Sequence, residues 1–139
     1  MRKLTKIEQA NADVFGDAAL FHVTGTILNK HIQDCNAALR ELLKREGVLD
    51  YDTLNAGDRV TLEGVYSDGT ETTISAYRAK TRGDKRIWFN GLKNYADAGD
   101  VMALVIRSGK LVLHNVTQGI VAAVFMLPAL DVVSRHILS

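Results

Sequence analysis

Residues 59–80 read RVTLEGVYSDGTETTISAYRAK, two β-compatible runs joined through Ser67-Asp68-Gly69. An Asp-Gly pair between such runs is a strong hairpin signal, because the favoured tight turns need positive φ at central positions. Val60, Leu62 and Gly64 lead into the turn, and Thr72, Ile74, Ala76 and Ala79 lead out of it. Outward from this hairpin the punctuation continues. Asn55-Ala56-Gly57-Asp58 marks a turn before it, Arg82-Gly83-Asp84 a turn after it, and Ile87-Trp88-Phe89 a further short strand. The segment GLKNYADAGD, residues 91–100, predicts one helical turn closed at Gly99. Val101 to Ile106, Ser108-Gly109 and Leu111 to Val116 predict a second hairpin.

The flanks are more helical. Leu4 and Ile7 alternate weakly and fit either a strand or a helical turn, whereas residues 20–28, LFHVTGTIL, are β-branched enough for a strand. From Ile32 the period changes: Ile32, Cys35, Ala38, Leu39, Leu42 and Leu43 share one helical face, and Gly47 is a natural stop. Asp34 near the start of that helix and Lys44 and Arg45 near its end suit the helix dipole. Residues 119–138 return to helix, split or entered at Pro128. Six or seven short strands with two or three helices and short connections predict an α+β chain built on an antiparallel barrel or sandwich.

At 139 residues the chain has the length of one domain and buries enough surface to fold without disulfides or metal. Hydrophobic residues at 47% and charged residues at 24% exclude a wholly disordered or coiled-coil chain. A net charge of +1 excludes binding to polyanions through global charge, but not through one basic face. The lone cysteine, Cys35, forms no internal disulfide, and MRKLTKIEQANADVF lacks the apolar run of a signal peptide. The longest apolar run, Ile120 to Leu130, is too short for a bilayer, so a cytoplasmic setting is expected.

Catalytic patterns are absent from this reading. His22, His31, His114 and His136 are scattered, and a His31–Cys35 pair lacks a second pair of ligands for zinc. No Walker loop or Gly-rich dinucleotide fingerprint precedes a helix. Glu63-Gly64-Val65 and Glu71-Thr72-Thr73 lack the lysine of a metal-dependent nuclease. Cys35 lies on the apolar helix face, where inert packing outweighs a nucleophilic role. No enzyme, cofactor or metal is expected.

Charge is segregated along the chain. Glu46 to Glu71 holds seven acids and one base, Arg59. Arg78 to Lys93 holds Arg78, Lys80, Arg82, Lys85, Arg86 and Lys93 against Asp84 alone. In an extended strand Arg78, Lys80 and Arg82 share one face, and Arg86 and Trp88 share a face on the return strand. Such a hairpin suits a nucleic-acid groove, and equally a solvated face balanced by the acidic segment beside it. Trp88 fits a core position or a stacking platform.

The run RIWFNGLKNYADAGDVMALVI, followed by GKLVLHNV, resembles the second half of the B3 DNA-binding pseudobarrel of plant transcription factors. ILNKHIQDCNAALRELL takes the place of the strand-to-helix segment, and RVTLEGVYSDGTETTISAYRAK that of the central hairpin. The resemblance spans Leu20 to Val116 and is nearer to the B3-like domains of bacterial restriction endonucleases, since the plant proline-lysine is missing. It implies a mainly antiparallel, seven-stranded pseudobarrel with one or two short helices, over residues 1–118. It also implies two arms gripping the major groove of double-stranded DNA. One arm corresponds to Ala79 through Trp88. The other falls at Gln9 to Asp17, where Gln9 and Asn11 would read base edges and two acids fit poorly. Domains of this kind perform no chemistry themselves.

The expected function is therefore double-stranded DNA binding, as the recognition module of a restriction or regulatory system with a nuclease or methyltransferase as its partner. Lys80, Lys85 and Lys93 would anchor phosphates, and Arg78, Arg82 and Arg86, with Asn90, would read bases beside Trp88. The rival classes are a non-enzymatic barrel subunit whose basic hairpin meets an acidic protein, and an enzyme fragment with a site not visible in the sequence. Residues 119–139 form an apolar helix in this reading. Ile120, Val121, Val124, Phe125, Met126 and Leu127 cover most of its circumference, which predicts packing against a second copy in a homodimer. A short strand from Val121 to Met126 is the alternative.

Overall fold

Thr5 and Glu8 satisfy each other's backbone in a reciprocal capping box, so the described chain opens with helix α1 (Lys6–Val14). The Thr-x-x-Glu signature, rather than the weak alternation of Leu4 and Ile7, decides this segment. The computed structural model describes residues 2–119. The predicted apolar helix over 119–139, with the domain boundary and homodimer contact assigned to it, lies outside the described residues save for Gly119.

Strand β1 (Ala19–His22) is half the length expected for residues 20–28. Thr24 is extended and its hydroxyl accepts from the Ile27 backbone, which starts helix α2 (Gly25–Lys30). The next helix begins later than predicted. Asn36 caps α3 (Ala37–Arg45) through its side chain on Leu39 N, so Ile32 to Cys35 lie before the helix. Leu39, Leu42 and Leu43 form its buried stripe as expected.

The rest is sheet: β2 (Arg59–Tyr66), β3 (Glu71–Arg78), β4 (Lys85–Phe89), β5 (Val101–Arg107) and β6 (Lys110–Asn115). They form one curled, mixed half-barrel in the order β1-β5-β6-β2-β3-β4. Both predicted hairpins, β2–β3 and β5–β6, are present and antiparallel. The expectation of seven antiparallel strands is corrected to six strands among the described residues, with β2 and β6 running parallel. The parallel pair arises because the β5–β6 hairpin docks β5 on β1 and leaves β6 to meet the central hairpin. At that junction Gly64 is flanked by both neighbours. A Cβ there would stand 2.6 Å from Ile74 Cδ1 and 3.2 Å from the Leu111 carbonyl, so glycine permits the close approach.

The concave face buries Phe21, Leu39, Ile74, Ile87, Phe89, Leu104 and Leu113. Phe21 of β1 and Phe89 of β4, on the two edge strands, stack with centroids 5.0 Å apart. An extended strap closes the gap between those edges. Ile87 N–H donates to Gln33 O at 3.0 Å and Cys35 N–H to Lys85 O at 2.9 Å, while Asn36 Nδ2 donates to Leu20 O at 3.1 Å. No helix among the described residues is long and apolar enough to cross a membrane.

On the convex side α1 covers β5 and β6 through a small cluster of Ala12, Val101, Ala103 and Val116. Glu8, 1% exposed, is the polar hub of this contact. Its carboxylate accepts two bonds from Arg2 at 2.7 and 2.6 Å, one from Thr5 N–H at 2.9 Å, and one from the Thr117 hydroxyl. Arg2 also donates to Gly99 O at 2.9 Å, so one ion pair ties α1 to both ends of the β5–β6 hairpin. The Arg2 guanidinium holds the Glu8 carboxyl well below the usual carboxylate range, against the opposing effect of burial. A depressed folded value means the carboxylate stabilises the fold fully above its unfolded value of about 4.3 and loses that contribution as pH falls. Glu8→Gln should cost about 1–3 kcal/mol at neutral pH, and should flatten the acid side of the stability–pH profile in urea titrations.

Candidate nucleic-acid interface

Arg78 is the last residue of β3, and the chain then turns through Ala79 to Asp84 before β4. Ala79 N–H donates to Asp84 O at 2.9 Å and Gly83 N–H to Ala79 O at 2.8 Å, with Gly83 at φ +69°. Lys80 and Arg82 therefore sit on a turn, and the expected common face of Arg78, Lys80 and Arg82 on one strand is corrected. The Arg78 guanidinium folds back under this turn. Its Nε donates to Gly83 O at 2.9 Å and its Nη1 reaches Leu54 O at 3.3 Å and Tyr51 O at 3.4 Å. Arg78 thus braces two loops from the base of the turn.

The other cations of the arm differ in how far they are engaged. Lys80 is exposed. Arg82 has 76% of its side chain exposed, with Nη2 3.2 Å from Asp84 Oδ2. Arg86 is only 20% exposed, shares the same Asp84 oxygen at 3.0 Å, and has Asp34 at 4.0 Å from its Nε. Arg86 is therefore far less accessible than Arg82. Lys85 lies 3.1 Å from Asp52, whose carboxyl it pulls below the usual value.

Trp88 is half-buried on the convex face, its ring stacked on His31 with centroids 4.6 Å apart and planes 13° from parallel. His31 reaches it because it terminates α2 in the left-handed conformation, φ 56°. Arg86 faces Tyr77 across the β3–β4 ladder, and Tyr77 in turn faces Arg59, whose guanidinium carbon lies 4.2 Å from the ring centroid. The expected site set did not include His31, Arg59 or Tyr77. Strand pairing brings Arg59 to Tyr77, and only the folded strap brings His31 to Trp88.

Five predicted residues, Lys80, Arg82, Lys85, Arg86 and Trp88, belong to the β3–β4 turn and to strand β4. The others do not. Asn90 and Lys93 follow the opposite end of β4, where Asn90 Nδ2 donates to Thr73 Oγ1 at 2.7 Å. Gln9 is exposed on α1 and donates to Asp13 at 2.8 Å. Asn11 is 3% exposed, and its Nδ2 donates to Val116 O at 2.7 Å and Gly119 O at 2.8 Å. Asn11 therefore fastens α1 to the end of the sheet. Comparison with protein-family models, curated proteins and solved structures finds no match. The likeness to B3 domains rests on the sequence features alone.

Cys35 is fully buried, although on the strap rather than within a helix. Burial pushes its thiol up to about 11, which removes the thiolate a nucleophile needs at neutral pH. Ellman's reagent should react with native protein only at the rate of unfolding; rapid native labelling would contradict this burial. Truncating Arg78 removes its bonds to the carbonyls of Gly83, Tyr51 and Leu54, so Arg78→Ala should lower stability by about 1–3 kcal/mol. Arg82→Ala, at an exposed tip, should shift the denaturation midpoint by an equivalent of less than about 0.5 kcal/mol.

Proposed function

We propose that the domain binds double-stranded DNA through the β3–β4 turn, entering the major groove as the recognition module of a restriction or regulatory system. The observation that carries this reading is the tip of the turn, where Arg82 and Lys80 are exposed above an engaged base of Arg78 and Arg86. A turn with a largely exposed guanidinium at its apex is suited to a bidentate contact with guanine. Lys80 and Lys85 flank it at positions suited to phosphates, and Lys93 would add an outlying contact. Arg86, fixed by Asp84, sets the angle of the turn in this scheme.

The partners belong to the same proposal: duplex DNA, a cytoplasmic nuclease or methyltransferase acting beside it, and a second copy of the chain. Cations already paired with Asp52 and Asp84 must exchange a carboxylate for a phosphate, so binding should be modest at physiological salt and steep in its salt dependence. Fluorescence anisotropy with duplexes of mixed sequence at low and moderate salt tests this. Arg82→Ala should weaken binding by about 1–3 kcal/mol on preferred sequences, and Lys80→Ala should reduce the salt slope by about one. Absence of binding at low salt would overturn the reading.

A further inference from the structure

Strands β3 and β4 turn Ile74, Ala76, Ile87 and Phe89 into the core, so the residues that alternate with them line the convex face. Along that face the ladder places Arg59, Tyr77 and Arg86 in one row, and Thr61, Ser75 and Trp88 in the next. Two short stacks stand on these rows. The Arg59 guanidinium carbon lies 4.2 Å from the centroid of the Tyr77 ring, and the His31 imidazole lies nearly parallel to Trp88 at 4.6 Å. In each stack the ring carried by the sheet is half-buried, and its planar partner, Arg59 or His31, is exposed.

Charges on this face are sorted along the strands. No ion pair among the described residues engages Arg59. The exposed Lys80 runs beside the loop that leads into it, its Cγ 3.4 Å from where a Cβ on Gly57 would stand. Nearby carboxylates are turned elsewhere: Asp58 accepts from Asn55 N–H at 2.8 Å, and Asp34 and Asp84 face Arg86 at 4.0 and 3.0 Å. Glu63 and Glu71 stand toward the other end of the same strands, with Lys110 3.9 Å from Glu71. A polyanion is thereby drawn to the end that carries the two stacks.

Exposed planar groups beside unpaired cations suit a chain of phosphates and flat rings. Tyr77 and Trp88 are diagonal neighbours across the β3–β4 ladder, a spacing of about 7–8 Å. Bases in a duplex rise only about 3.4 Å per step along each strand, so neighbouring bases meet both stacks only when their strand is drawn out of the duplex. We infer that this convex face binds single-stranded DNA, with one base on the Arg59 plane, a neighbouring base on the His31 plane and a phosphate toward Lys80. The choice of DNA rests on the duplex reading of the adjoining turn; the stacking does not.

Fluorescence anisotropy of the full chain with a short labelled oligothymidine at low salt tests this, beside oligouridine and a hairpin duplex of equal length. Oligothymidine should bind, and proton NMR should show the His31 ring signals, assigned by their loss in His31→Asn, moving upfield as a base stacks. Arg59→Lys keeps the charge and loses the plane. His31→Asn loses the ring and suits the left-handed backbone at that position. Each variant should weaken oligothymidine binding roughly fivefold or more, with the thermal midpoint and hairpin affinity unchanged. No oligothymidine binding, full affinity in both variants or unmoved His31 signals overturns the inference, and tighter binding of oligouridine overturns the assignment to DNA. Hairpin binding without oligothymidine binding overturns this surface alone. Oligothymidine binding without hairpin binding upholds the surface and overturns the duplex reading instead.

Discussion

A sheet of six strands does not close on itself, and this one is held by a four-residue strap across the gap. Gln33 and Cys35 pair with β4 through backbone bonds, and Asn36 reaches β1 through its side chain. The stacked pair Phe21 and Phe89 lies between the two edges, worth about 0.5–1.5 kcal/mol beyond its burial. Without the strap, β4 would expose a row of unpaired backbone groups, a template for pairing with other chains. With it, the outer edge of β4 is covered and α3 is delivered onto the core, because Asn36 serves both as bridge to β1 and as the cap of that helix.

Charge segregation in the chain is also partly a folding device. The acidic stretch ending at Glu71 does not simply face solvent. Its loop before β2 takes up the Arg78 guanidinium through the carbonyls of Tyr51 and Leu54 and the Lys85 ammonium through Asp52. Tyr51 adds a bond from its hydroxyl to Arg86 O at 2.6 Å. Two of the six cations that make the hairpin look like a nucleic-acid arm are thereby engaged by that loop, and Arg82 and Arg86 share Asp84. Lys80 and the largely exposed Arg82 remain accessible at the turn, which narrows a broad basic segment to a small exposed set.

The hairpins were legible because their signals are local: Asp68-Gly69 and Ser108-Gly109 each punctuate two alternating runs, and both turns form with glycine at positive φ. The buried stripe of α3 was legible for the same reason. The start of α3 was not, since Ile32 and Cys35 fit a helical period equally well and only Asn36, as a cap, distinguishes the boundary. Leu20 to Leu28 misled through its β-branched content, where a single threonine cap outweighs propensity. The parallel contact of β2 with β6 is a long-range outcome that no local pattern encodes. Among the candidate residues, Arg78 and Asn11 show that residue type alone does not reveal which polar side chains the fold itself engages.

The strap also explains why a buried unpaired acceptor occurs where it does. An extended segment that pairs on one side only must turn alternate side chains inward, and Gln33 and Cys35 are those residues. Cys35 fills its place as a small hydrophobe, with Tyr51 and α3 around it. Gln33 faces the thinner end of the strap, near α2, where six residues of helix with no buried member leave the barrel incompletely filled. An apolar residue at position 33 would close that space at no cost in hydrogen bonds, and would stabilise the fold by removing a buried orphan acceptor. A chain that keeps an amide there carries a local conflict of the kind that marks functional sites more often than structural ones. The conflict is confined to the one part of the barrel wall made by a strap instead of a strand, where side chains can be exchanged without disturbing the ladder of β2, β3 and β4.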